Sequence, residues 1–155
     1  MVSENGFQFL DPGELIDRDL QLLLKERRPA NPSKGYAPVY MFDMVLTGTT
    51  THVGSISFRV GDGDFLVRFA GHFGYEVEPE HRGQRFSVRA CQMLFPLARA
   101  HGLKHLWLTV TPENAASRRT CEILGATMVE IVDLPADCDM YARGERQKCR
   151  YRIDL

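Results

Sequence analysis

The chain has 155 residues, 44% of them hydrophobic and 25% charged, enough for one compact domain that buries roughly 70% of its unfolded surface. Its 19 Lys and Arg against 20 Asp and Glu give a formal net charge of -1, which excludes the broad positive field used for non-specific binding to nucleic acid or an anionic membrane. No apolar run approaches the ~20 residues of a membrane span, and Met1 to Gly13 carries Glu4 and Asp11 where a signal peptide carries positive charge, so a cytoplasmic protein is expected.

The first segment, Gly13 to Arg28, sets Leu15, Ile16, Leu20, Leu22, Leu23 and Leu24 among charged residues, and this predicts an amphipathic helix stopped by Pro29. Pro29 to Pro38 holds three prolines and a glycine and reads as a connection. Short β-branched and aromatic runs follow, Val39 to Leu46, His52 to Val60 and Phe65 to Val77, separated by Thr/Gly and Gly-Asp-Gly turn signals. They predict three antiparallel strands in a meander. Gly61-Asp62-Gly63-Asp64 lacks the spaced ligands and closing Glu of a calcium loop and reads as a plain turn.

Past Pro79 the period becomes helical. Val88, Cys91, Phe95 and Ala98 form one stripe, with Ala90, Leu94 and Leu97 beside it and Gly102 as the stop. Pro96 within that helix removes one backbone hydrogen bond. Leu103 to Thr111 then reads as a buried strand, Asn114 to Leu124 as a helix stopped by Gly125, and Thr127 to Leu134 as a strand. The tail Gln147 to Leu155 alternates Cys149, Tyr151 and Ile153 against Arg150, Arg152 and Asp154, the pattern of a half-exposed antiparallel strand. As a sheet edge, that strand would allow a homodimer. Cys91, Cys121, Cys138 and Cys149 form no C-x-x-C pair and have no matching His-x-x-x-His, so reduced thiols and no metal site are expected.

The stretch richest in chemistry is Gly74-Tyr-Glu-Val-Glu-Pro-Glu-His-Arg-Gly-Gln-Arg-Phe-Ser87, a strand ending at Pro79 whose polar loop leads into a helix N-terminus. A helix start offers unpaired N–H groups and about half a unit of positive charge. Arg82, Arg85 and Arg89 add full charges there, Gly83 lets a ligand approach the backbone, and Ser87 brings a hydroxyl. Such a loop suits a diphosphate.

Val77-Glu-Pro-Glu-His-Arg-Gly-Gln-Arg-Phe-Ser87 resembles the loop of the GNAT superfamily of acetyl-CoA-dependent N-acetyltransferases, Gln/Arg-x-x-Gly-x-Gly/Ala after a strand ending in Val-x-Pro. Arg82 takes the leading Gln/Arg, while Arg85 and Ser87 stand where glycine and glycine/alanine are usual. Asn114-Ala-Ala-Ser-Arg-Arg-Thr-Cys-Glu-Ile-Leu-Gly-Ala126 resembles the family's Asn-x-x-Ala-x-x-x-Tyr-x-x-x-Gly-Phe helix. The Gly74-Tyr75 pair resembles the branch that acetylates ribosomal-protein N-termini.

The resemblance implies a single α/β (α+β) domain with a mixed, mostly antiparallel sheet flanked by helices, moving acetyl from acetyl-CoA to a primary amine of a small molecule or peptide by direct attack. It places the coenzyme on Val77, Arg82, Gly83, Gln84, Arg85, Phe86 and Ser87, with Asn114 on the pantetheine arm, and Arg118 and Arg119 are candidates for the 3′-phosphate. The chemistry asks for a base for the amine, a donor for the thioester carbonyl and an acid for the leaving thiolate. His72 and Glu76 share one face of the strand and are the two candidate bases. Cys121 holds the position of the family's tyrosine and is a candidate acid, with Tyr75, Tyr141 and Tyr151, or departure of the thiolate without an acid, as alternatives. Rival readings are a CoA- or acyl-CoA-sensing domain without turnover, suggested by Arg85, Ser87 and the missing tyrosine, and a nucleotide-phosphate-binding module.

Overall fold

The computed structural model describes residues 7–155. Leu15–Asp17 (β1) and Leu20–Arg28 (β2) form a hairpin around Arg18, whose φ of 56° places a non-glycine residue in the left-handed region. The predicted N-terminal helix is therefore a correction. Leu20 and Leu22 are buried while Leu23 is exposed, so period two governs the segment. The hairpin is pinned from outside, because Arg89 donates to Asp17 Oδ2 at 2.7 Å, to the Asp17 carbonyl at 2.6 Å and to Asp19 Oδ1 at 2.6 Å. That bond holds the Asp19 carboxyl below its usual range.

Val39–Leu46 (β3), His52–Arg59 (β4) and Phe73–Val77 (β5) extend the hairpin into a five-stranded antiparallel sheet, ordered β1-β2-β3-β4-β5. The expected strand from Phe65 begins only at Phe73, since Leu66–Ala70 closes a single π-helical turn with the Gly71 N–H on the Leu66 carbonyl. His105–Val110 (β6), Thr127–Asp133 (β7) and Gln147–Asp154 (β8) make a second, three-stranded antiparallel sheet in the order β6-β8-β7. The tail strand is thus central, with Lys148, Cys149, Arg150, Tyr151 and Ile153 buried, and the argument for dimerisation through its edge falls. Its alternation comes from two differently buried faces, since Arg150 lies with its guanidinium carbon 4.1 Å from the Trp107 ring centre.

Phe86–Ala100 (α1) continues through Pro96 and packs its buried stripe, Phe86, Ala90, Cys91, Leu94 and Leu97, against the five-stranded sheet. The sheet presents Leu20, Tyr40, Phe42, Ile56, Phe58 and Phe73 to this core. Ala115–Ile123 (α2) follows β6 and contacts both it and α1, and a short helix, Asp139–Ala142 (α3), precedes β8. Antiparallel sheets flanked by helices give the mixed α/β class expected from the sequence. None of the described helices is long and apolar enough to cross a membrane.

Candidate active site

Strands β5 and β6 belong to different sheets and are joined through the crossing helix α1. They meet at His72. Its N–H donates to the Trp107 carbonyl at 2.7 Å, and its ring Nδ1 accepts the Trp107 N–H at 2.9 Å. Gly71 allows this approach, as its φ is 76° and a Cβ there would lie 3.1 Å from the Trp107 carbonyl and from Thr109.

Beyond His72 the register with β4 decides which backbone groups remain free. The Arg59 N–H donates to the His72 carbonyl and the Glu78 N–H to the Val53 carbonyl, so the hydrogen-bonded pairs alternate between these ends. Tyr75, opposite Ile56, and Val77, opposite Gly54, fall in the alternate pairs, and their N–H and C=O groups point to the open edge of β5. Arg82 Nε donates to the Val77 carbonyl at 3.0 Å, leaving the Val77 N–H at this edge.

The edge runs into the α1 N-terminus through a loop with two left-handed residues, Gly83 at φ 89° and Arg85 at φ 58°. Arg85 is the N-cap and no side chain caps the helix, so the N–H groups of its first turn are available to an anion. A Cβ at Gly83 would meet nothing within 4 Å, which makes the loop an open cradle. Arg82, Gly83, Gln84 and Arg85 are exposed around it. Phe86 is buried in the core and offers only its backbone N–H, and Ser87 Oγ lies 3.1 Å from Thr120 Oγ1, tying α1 to α2. A diphosphate fits this donor set: unpaired N–H groups, two exposed guanidinium groups and, among the described residues, no carboxylate bonded to either.

Several predicted site residues have other work. His72 is 1% exposed. With Nδ1 accepting from Trp107, Nε2 carries the ring proton and donates to the Gly61 carbonyl at 2.8 Å. Burial pushes its pKa down, so the ring is neutral with no free lone pair, and the expectation of a base at His72 is corrected. Cys121 is 0% exposed, and burial raises its thiol to about 12. The helix turns it into the core, and the expectation of an acid at Cys121 is corrected. Arg118 donates through Nε to Tyr151 Oη at 3.0 Å and through Nη1 to the Pro112 carbonyl at 3.4 Å, bracing α2 on β8 rather than standing free for a phosphate. Asn114 caps α2 with Oδ1 on the Ser117 N–H at 3.1 Å.

Glu76 is exposed on the sheet face turned away from α1. Cross-strand rows Asp43-Ser55-Glu76 and Met41-Ser57-Gly74 floor a groove of about 300 Å³ there, with Lys25 at its side. His52 bridges Asp43 and Glu78 at 3.4 Å each, adding carboxylates to the same region. The sequence did not single out Asp43, His52, Ser55 or Ser57, although strand alternation alone places the two serines with Glu76.

On the opposite face, Tyr75 reaches α2, with Oη 2.8 Å from Ser117 Oγ. Burial pushes this phenol well above its usual range, reinforced by the neighbouring Cys91 and Cys121.

Residues 8–127 match the family model described as Acetyltransferase (GNAT) domain. A GNAT-family acetyltransferase from Bacillus anthracis is 21% identical with a TM-score of 0.58, over 74% of this chain and 65% of that one. RimL, a ribosomal L7/L12 alpha-N-protein acetyltransferase solved in complex with coenzyme A, is 15% identical with a TM-score of 0.59, over 79% of this chain and 64% of that one. A structure from Vibrio cholerae, provisionally named a ribosomal-protein-serine acetyltransferase, is 16% identical with a TM-score of 0.68, over 94% of this chain and 100% of that one. The chain spans just under two thirds of the length of the first two. At these identities the likeness is one of fold. A comparison with curated proteins found no match.

Proposed function

Because the chain belongs to the GNAT acetyltransferase family, we propose that it is a single-domain acyltransferase that moves acetyl from acetyl-CoA to an amine by direct attack. The observation that carries this reading is the open edge of β5, where the Val77 N–H stands beside an uncapped helix start. Acetyl-CoA supplies the thioester that the amine attacks. The N–H groups of Phe86, Ser87 and Val88, with Arg82 and Arg85, hold its diphosphate, and Gly83 leaves room for it. The Val77 N–H hydrogen-bonds the thioester carbonyl and stabilises the negative charge that develops on it.

Glu76 takes the proton of the amine, directly or through one water, because it is the candidate base with an exposed carboxylate. The groove around it, with Asp43 and Glu78 nearby, attracts a cationic small-molecule or peptide amine. RimL acts on a ribosomal protein, and a peptide N-terminus is accordingly one acceptor to try. Four free cysteines suit a reducing compartment, and the cytoplasm is the proposed location.

Thermal melting with saturating acetyl-CoA, against ATP as control anion, tests the reading. Ligand at 100 times its dissociation constant adds about 2.7 kcal/mol. A shift with acetyl-CoA alone, followed by thiol release on adding amines, is the expected result. Tight binding with no thiol release from any amine supports a sensing domain instead, and equal shifts with both ligands support a general nucleotide-phosphate module.

A further inference from the structure

The family's helix carries a tyrosine where this chain has Cys121, and Cys121 is sealed in the core. A phenol nevertheless meets this helix, delivered by a different element. Ser117 and Cys121 are four residues apart and share one face of α2. Tyr75 rises from β5 and sets Oη 2.8 Å from Ser117 Oγ, with Thr120 and Cys121 nearby. Tyr75 and Val77 are two residues apart, so their side chains share the helix-facing side of β5 and their backbone groups share its open edge.

We infer that Tyr75 is the catalytic hydrogen-bond donor to the departing sulfur of coenzyme A, with Ser117 as the positioning residue that supplies its replacement proton. The inference rests on the acetyl-CoA reading of the cleft. When the tetrahedral intermediate collapses, the carbon–sulfur bond breaks and its electron pair stays on sulfur. The Tyr75 hydroxyl proton passes to that sulfur, the Ser117 hydroxyl proton passes to the phenol oxygen, and water at the half-buried start of α2 reprotonates Ser117, the hydroxide formed being neutralised through solvent by the proton that Glu76 took from the amine. Among the described residues, the groups facing the phenol are Cys91 from α1 and Ser117, Thr120 and Cys121 from α2, none of them a charged side chain. In such surroundings a thiolate without a donor is costly, and a hydroxyl aimed at it is effective. With Glu76 on the opposite face, consecutive residues of β5 take one proton from the amine and give another to the sulfur.

Calorimetric binding of CoA and of desulfo-CoA, from pH 7 to 9, tests this without an acceptor. In the wild type, CoA gains affinity over desulfo-CoA as its thiol ionises, by about tenfold at pH 9, as for one hydrogen bond to a charged acceptor. Tyr75→Phe keeps its affinity for desulfo-CoA and loses this gain. Ser117→Ala, which leaves the ring in place, reduces the gain, and supports the inference by itself if the first variant does not fold. A Tyr75→Phe protein that keeps the whole pH-dependent gain overturns the role of Tyr75 while leaving the acetyl-CoA reading intact. A wild type that binds neither ligand overturns that reading and the inference with it.

Discussion

His72 and Trp107 are joined by two hydrogen bonds, backbone N–H to carbonyl at 2.7 Å and backbone N–H to ring Nδ1 at 2.9 Å, and this pair closes the narrow end of the cleft between the two sheets. Protonating the ring would put a second N–H where Trp107 needs an acceptor. Burial accordingly lowers the folded pKa of His72 below its ordinary 6.5. The unfolded chain then binds more protons than the folded one below that value, so the contribution is fully present above about pH 6.5 and is lost on acidification toward the folded pKa. Apo-protein melting should fall from pH 7 to 5. His72→Asn, which keeps an acceptor for the Trp107 N–H, should melt lower at pH 7 and show a shallower pH slope. A slope equal to the wild type's would assign the effect to other groups, such as His101, whose pKa burial also lowers.

Arg85 adopts φ 58° at the N-cap of α1, a conformation that costs a residue with a Cβ about 1–2 kcal/mol. Arg85→Gly should therefore stabilise the apo protein by about 1 kcal/mol, or ~3 °C in melting temperature. Its affinity for CoA should fall several-fold, because the guanidinium leaves with the strain. Denaturation and calorimetry on the same preparation read the two opposite effects, and an unchanged affinity would remove Arg85 from the phosphate site.

Glu76 is exposed, so replacing it should leave the fold alone. Glu76→Gln is expected to lower kcat by roughly 100-fold or more while melting temperature and KM for acetyl-CoA stay near wild type. Full turnover in this variant would pass the proton to another group on the groove face.

Gly54 sits opposite Val77, and a Cβ there would collide with the Glu76 carbonyl oxygen and lie 3.1 Å from the Val77 Cα. Gly54→Ala should push β5 away from β4, costing about 1–3 kcal/mol and displacing the edge that carries the Val77 N–H. The check is paired: chemical denaturation for stability, and thiol release for turnover at a temperature where the variant is folded. Loss of stability with normal turnover would show that the edge tolerates the shift.

From Val39 onward the element types were legible outside Phe65 to Gly71, because burial in the other segments follows one period at a time. Val39–Leu46 and His52–Arg59 alternate, and Phe86–Ala100 carries a helical stripe. Before that, Leu15 to Leu24 satisfies both periods, and good helix formers such as Leu, Glu and Lys tip a local reading toward helix. The hairpin is imposed by pairing with β3 and by Arg89, which lies far away in the chain. The polar loop before α1 was similarly legible, since glycine, arginines and a helix start are local signals.

The sequence by itself determined the strand-loop-helix unit that ends in the Arg82–Ser87 loop, the order of most elements and the family, because these depend on residues close together in the chain. Only the tertiary structure decided which titratable groups face the cleft. His72, Cys121 and Arg118 are drawn into sheet-joining, core and bracing roles, while Tyr75 is carried across to Ser117. The physical reason is that a side chain's exposure and hydrogen-bond partners are set by elements distant in sequence, and no local period records whether the partner will be water, a ligand or another strand's backbone.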